Sequence, residues 1–339
     1  LPEPVRVLDV KDLRTSFFTS QGEFKAVDGV SYHVDRGEIV AIAGESGCGK
    51  SVTQMSVLQL VQSPPGRILG GSVMFEGQNL LALAPRSKAM RRVRGGEIAM
   101  IFQEPMTSLN PVLTIGRQLC EVIALHAKIS RRQAWSRGVA ALEAVGIPDA
   151  EQRMRSYPFE MSGGMRQRVM IATAIACNAK LIVADEPTTA LDVTTQAQVM
   201  ELLLDLVKKD GKSLVVITHN LGLIARYAHR VYVMYAGKII ESGSAEALLT
   251  RPQHPYTIGL LNSIPRLEVD TDTDLVPIVG APPSLNERPS GCAFEPRCPF
   301  AQATCRSRPF PQMRRVGEPN HDVACHLDID GGGPSVRAS

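Results

Sequence analysis

Long apolar runs are missing from this chain. No stretch approaches the roughly 18–20 residues that a membrane-spanning helix requires, and the proline- and charge-containing start does not read as a signal peptide. A soluble, cytosolic chain is the expectation. It begins at Leu1 with no initiating Met, which reads as trimming upstream. A charge imbalance is missing too: 37 basic residues stand against 34 acidic ones, the formal charge is +3, and no extended run has one sign. That argues against a nucleic-acid binder and for a mixed, solvated surface. No internal repeat is visible. Seven cysteines are present, but none forms a C-x2-C pair, so the strongest sign of a zinc knuckle is absent.

With 339 residues and 44% hydrophobic side chains, the chain has material for one large domain and an appendage. Its most informative segment is Gly44-Glu45-Ser46-Gly47-Cys48-Gly49-Lys50-Ser51, which follows the apolar Ile39–Ala43 and leads into the helix-compatible Val52–Leu60. This is a G-x-x-x-x-G-K-[ST] phosphate loop in a strand–loop–helix setting. Its glycines let successive N–H groups turn inward, and the helix N-terminus adds positive potential where phosphates sit. Lys50 would reach the β- and γ-phosphates and Ser51 would ligate Mg²⁺. The chain is expected to bind a nucleoside triphosphate.

From Val5 to Phe75 the sequence reads as short strands punctuated by turns, with the phosphate loop and its helix between them. Ile98–Phe102 reads as a strand that runs into Gln103. From about residue 104 to 165 helical periodicity takes over, notably at Ile115–Ala127 and Arg131–Val145, as expected of a helical subdomain inserted into the core. Strand–helix alternation then resumes with Leu181–Ala184, Thr195–Lys208 and Leu214–Ile217, and a hairpin is expected across Val231–Ile240. Thirteen of the 23 prolines fall in the last 89 residues, which disfavours long helices and central strands there. The expected organisation is a nucleotide-binding domain over 1–250, an extension over 251–330 and a disordered tail over 331–339.

Leu181–Ala184 ends in Asp185 and Glu186, two carboxylates where a Walker B strand places them. Asp185 would hold Mg²⁺ and Glu186 would polarise the attacking water. Ser162-Gly163-Gly164 precedes the helix-like Arg166–Cys177. Together with Gln103, Ala190-Leu191-Asp192 and His219, in this order and spacing, these motifs resemble the ATP-binding cassette of ABC transporters. The resemblance implies an α/β P-loop NTPase core, a mostly parallel sheet with N-terminal antiparallel strands and an inserted helical subdomain. It implies that two cassettes pack head to tail, so that Ser162, Gly163, Gly164 and Met165 of one close on the γ-phosphate held by the other. It assigns Gln103 to Mg²⁺ and the nucleophilic water, His219 to the γ-phosphate, and Asp192 to communication between the two sites. Phe17, with Phe18 as the neighbouring alternative, would stack on adenine. Val52 stands where Thr is commoner, although its N–H still serves phosphate.

The string Gln103–Pro111, the stretch Met161–Arg168 and His254-Pro255-Tyr256-Thr257 are similar to ATPase subunits of dipeptide, oligopeptide and nickel importers. The resemblance implies a peripheral ATPase on the cytoplasmic face of the cell membrane. Its expected partners are a second, homologous ATPase in a heterodimer, two permeases and, indirectly, an extracytoplasmic solute-binding protein. Peptide is the favoured cargo, and nickel or another small solute the alternative. A soluble ABC ATPase acting on DNA or ribosomes, and a metal-sensing regulator, are readings of a different class.

Cys292, Cys298, Cys305 and Cys325 crowd the extension, in a spacing that leaves Fe–S and Zn²⁺ both open. Members of the family that resemble this chain carry a [4Fe-4S] cluster in that segment, which favours the cluster over Zn²⁺. Cys120 and Cys177 read as core residues. Cys48, between two glycines and near Lys50, is expected to be exposed and acidified, so that alkylation blocks nucleotide binding.

Overall fold

The computed structural model describes residues 5–104, 108–188, 193–219, 221–263, 277–284, 289–317, 320–330 and 333–336. The chain forms two compact units from interleaved segments: Leu1–Val7, Val34–Glu38 and Ala82–Ile217 in the first, and Leu8–His33, Ile39–Leu81 and Thr218–Ser339 in the second. The helix-rich stretch beginning near residue 104 lies within the first unit. The boundary expected near residue 251 falls inside the second.

The N-terminal strands are longer than the turn punctuation suggests. β1 (Arg6–Thr19) and β2 (Gly22–Asp35) each run 14 residues. They continue in β4 (Gly66–Phe75) and β5 (Gln78–Asn79) as an antiparallel sheet of order β2-β1-β4-β5. Gly29 does not end β2, because glycine punctuates a turn only where no ladder overrides it. β3 (Ile39–Ala43) is buried at every residue and pairs in parallel with β9 (Arg230–Tyr235), Val40 opposite Arg230. Burial on both faces is what a continuous apolar run provides in a parallel sheet. β9 turns through Ala236 and Gly237, at φ 45° and 78°, into antiparallel β10 (Lys238–Ser244), a hairpin turn in which both central residues have positive φ.

In the first unit β6 (Ile98–Ile101), β7 (Leu181–Asp185) and β8 (Ser213–Thr218) are parallel in that order, with Ile98 opposite Leu181 and Leu181 opposite Ser213. Helices Ile115–Ala127, Arg131–Ala144 and Gly163–Ala176 belong to the same unit. Each starts at a hydroxyl N-cap: Thr114, Ser130 in a capping box with Gln133, and Ser162.

The proline-rich extension is built onto the edge of β10. β12 (Asp322–Val323) pairs with it, Val323 opposite Glu241, and β11 (Arg314–Arg315) pairs with β12. Part of the expected tail, Gly333–Val336, pairs with Leu327–Asp330. Glu241 is fully buried and holds three segments together: it accepts from the Gln253 N–H (2.6 Å) and the His254 N–H (3.0 Å), and its Oε1 lies 2.8 Å from His321 Nε2. Burial lowers His254 to a pKa of about 3, so it is neutral, and its Nδ1 accepts the Tyr256 N–H at 3.0 Å, capping helix Pro255–Asn262. Replacing Glu241 with Ala would strand a buried amide, a half-buried one and a buried imidazole. We expect Glu241→Ala to cost about 3–5 kcal/mol in a urea titration, and Glu241→Gln less, because its amide oxygen still accepts.

Candidate nucleotide site

The phosphate loop is fixed by close backbone approach. A Cβ at Gly44 (φ +151°) would stand 2.2 Å from the Met234 carbonyl oxygen, and one at Gly49 (φ +107°) would stand 2.2 Å from that of Ala26. Only glycine fits either place. Helix α1 (Lys50–Val57) starts directly behind, with Ser51 and Val52 half-buried in its first turn. Ser46 and Gly47 form the exposed crown of the loop. Lys50 is buried, and its ammonium donates to the carbonyls of Gly44 and Glu45, each at 2.8 Å. These elements point backbone donors, a helix N-terminus and a cation at one place, which suits a polyphosphate.

Two residues from beyond position 250 hold Glu45. Its N–H donates to the Tyr256 hydroxyl at 2.8 Å, and Arg297 grips its carboxylate with both terminal nitrogens, at 2.7 and 2.9 Å. The Arg297 side chain is 5% exposed, and the Glu45 carboxylate raises its pKa. It also donates through Nε to the Val279 carbonyl at 3.1 Å. Neither Tyr256 nor Arg297 was assigned a role from sequence. Tyr256 lies in a string singled out for its family likeness alone, and Arg297 carried only its position beside Cys298.

Cys48 departs from expectation. It is 5% exposed, its sulfur faces Gly44, and burial raises the thiol pKa although Lys50 nearby opposes the shift. The expected acidified, accessible thiol is therefore corrected to a buried, protonated one; flanking glycines made the backbone permissive without exposing the side chain. The two phenylalanines divide: Phe17 is half-buried and packs toward Gly66, whereas Phe18 is 42% exposed with the Arg67 guanidinium 5.4 Å from its ring centre.

The first unit carries the carboxylates. Asp185 ends β7 and is buried. Glu186 follows with φ +44°, a conformation L-residues seldom adopt, pinned by its N–H to the Ile217 carbonyl at 3.0 Å. Gln103 Nε2 donates to Glu186 Oε2 at 3.1 Å, so two residues 83 positions apart in sequence meet. Ser162 caps helix Gly163–Ala176 by accepting the Met165 N–H at 3.3 Å, which leaves Ser162 and Gly163 exposed at a helix N-terminus. Gly164 and Met165 are half-buried. His219 is exposed just past β8. Asp192 lies outside the described residues.

All four cysteines of the extension are free, and Cys292, Cys305 and Cys325 are buried in one apolar cluster with Cys298 packed against it. Burial pushes Cys292 up to about 11 and Cys298 up to about 12, and the charges of neighbouring thiols act in the same direction. The Cys292 N–H donates to the Cys305 carbonyl at 2.9 Å, and the Leu327 N–H to Cys325 Sγ at 3.4 Å. Among the described residues no group of three or more His, Cys, Asp or Glu has metal-holding geometry. Cys120 and Cys177 are half-buried, not core.

Comparison with known proteins fits these features. The ABC transporter family model matches residues 27–189, and the model of the oligopeptide/dipeptide transporter C-terminal region matches 240–305. The chain is 48% identical over 324 residues to a probable peptide ABC transporter ATP-binding protein of Sinorhizobium fredii, covering 96% of each. It is 52% identical to the oligopeptide transport ATP-binding protein OppD of Bacillus subtilis, covering 87% of this chain and 82% of that one. It is 47% identical to the dipeptide transport ATP-binding protein DppD of Haemophilus influenzae, covering 98% of each. Among solved structures it resembles the dimeric ATP-binding cassette MJ0796 bound to ADP and Pi, with TM-score 0.63 and 27% identity over 70% of this chain and 98% of that one. A cassette fold, a glycine-bound phosphate loop and relatives matched over nearly their full length make this chain a member of the ABC transporter ATP-binding proteins, in the group with the oligopeptide/dipeptide transporter C-terminal region.

Proposed function

We propose that this chain is the ATP-hydrolysing subunit that powers import of di- or oligopeptides by an ABC transporter. The observation that carries the reading is full-length similarity to peptide-transport ATP-binding proteins in a chain that keeps the phosphate loop and the Gln103–Glu186 pair. Lys50 and the N–H groups of Gly47, Cys48, Gly49 and Ser51 hold the β- and γ-phosphates. The Ser51 hydroxyl and the Asp185 carboxylate are hard oxygen donors suited to Mg²⁺, with Gln103 as a further oxygen ligand. Glu186, positioned by Gln103, accepts a proton from the attacking water, and His219 contacts the γ-phosphate. Ser162, Gly163, Gly164 and Met165 serve the nucleotide of a second cassette, to which they bring a helix N-terminus. Asp192 links the two sites.

Its partners are a second, homologous ATPase in a heterodimer and two permeases; an extracytoplasmic binding protein selects the cargo. No helix among the described residues is long and apolar enough to cross a membrane, consistent with a peripheral subunit held on the cytoplasmic face by permeases. ATP-driven closure of the cassette pair and its reopening after hydrolysis would drive alternating access.

Cys292, Cys298, Cys305 and Cys325 would hold a [4Fe-4S] cluster, which would brace the proline-rich extension. Their free, clustered thiols and apolar surroundings support this. Bound thiolates would replace thiols that burial otherwise keeps protonated.

Tagged chain purified from membranes in mild detergent is expected to retain two permeases and a second cassette. Glu186→Gln is expected to lower ATP turnover at least about 100-fold and abolish uptake of labelled peptide while Mg-ATP still binds. Recovery with ribosomes or nucleic acid, or undiminished turnover, would count against the transporter reading. Anaerobically purified protein is expected to be brown and to contain iron; a colourless, iron-free sample sinks the cluster, and stoichiometric zinc replaces it.

A further inference from the structure

Glu45 is an awkward residue at its position. A loop that gathers positive potential for a triphosphate carries a carboxylate as its second residue, a charge of the same sign as the ligand's. The structure answers with two contacts from a segment more than 200 positions away. Arg297 is almost wholly buried and meets the carboxylate as a two-point fork, the geometry in which guanidinium binds carboxylate most specifically. Tyr256 takes the Glu45 N–H, which directs that amide away from the phosphate cradle and leaves the cradle to later amides. The two anchors are themselves fixed: the Tyr235 and Tyr256 rings lie 4.6 Å apart, Phe294 packs on both, and Arg297 lies over Tyr235 at 5.9 Å.

We infer that Arg297, assisted by Tyr256, is a positioning residue for the phosphate loop: it neutralises Glu45 and holds the loop's entrance, so that the extension sets the affinity for ATP. The inference rests on the nucleotide reading above. It makes the extension part of the ATP site's electrostatics, whatever that segment binds.

The test is a double-mutant cycle on equilibrium Mg-ATP binding, using the intact chain in a Glu186→Gln background so that nothing turns over. Arg297→Ala is expected to weaken Mg-ATP about tenfold, the effect of leaving one carboxylate of the loop uncompensated. Glu45→Gln alone is expected to bind at least as tightly as the parent. Adding Arg297→Ala to Glu45→Gln is expected to cost little further, because the charge that Arg297 offsets is gone. In the chain with Glu186 intact, the Arg297→Ala effect is expected in KM, with kcat within about twofold. Arg297→Ala binding as tightly as its parent, the same tenfold loss with Glu45→Gln present, or a tenfold loss from Glu45→Gln alone would each overturn the inference. Should Arg297→Ala fail to fold, the Glu45→Gln result decides. A parent that binds no Mg-ATP overturns the nucleotide reading, and the inference with it.

Discussion

The close approach of the phosphate loop to the β9 and β2 backbones is the constraint on which the rest depends. With a Cβ excluded at Gly44 and Gly49 by carbonyl oxygens 2.2 Å away, the loop has one path across the end of β3. That path points α1 and its N–H groups at the place where phosphates bind. Sheet register thereby becomes chemistry: if β9 slipped against β3, the Met234 carbonyl would no longer floor the loop. The buried, apolar faces of both strands resist such a slip.

The same economy governs the carboxylates. β7 is buried at every residue, so its end is a fixed point. Glu186 holds a positive φ there, its N–H bonded to the neighbouring strand, and in that conformation its carboxylate meets Gln103. Ser162 shows a second constraint: its hydroxyl oxygen caps its own helix while the residue itself stays exposed at the helix end.

How much of this was legible depended on sequence distance. The phosphate loop, its strand and its helix are local, so Gly44–Ser51 could be placed in advance, as could Asp185 and Glu186 at an apolar strand's end. Helices Ile115–Ala127 and Arg131–Ala144 announced themselves by periodicity. The N-terminal strands run longer than their turn signals allow, because the pairing of β2 with β1 carries it past Gly29. Cys48 escapes local reading because flanking glycines suggest exposure, whereas the walls around the loop decide it. Tyr256, Arg297 and the buried Glu241 could not be found by pattern. Their partners lie far away along the chain, and nothing nearby in sequence marks a salt bridge that only the folded sheet assembles.

The pairing of β12 along the edge of β10 bears on how such a chain can be divided and inherited. The edge of β10 is an open ladder unless β12 covers it, and Glu241 needs His321 as well as the amides of residues 253 and 254. A chain cut at residue 250 would keep every ABC motif, yet show an unpaired strand edge, a stranded buried acid and a bare Tyr235. The extension is thus not a module that recombination could exchange freely. Its strand β12 and its ring of aromatics must descend together with the cassette they complete.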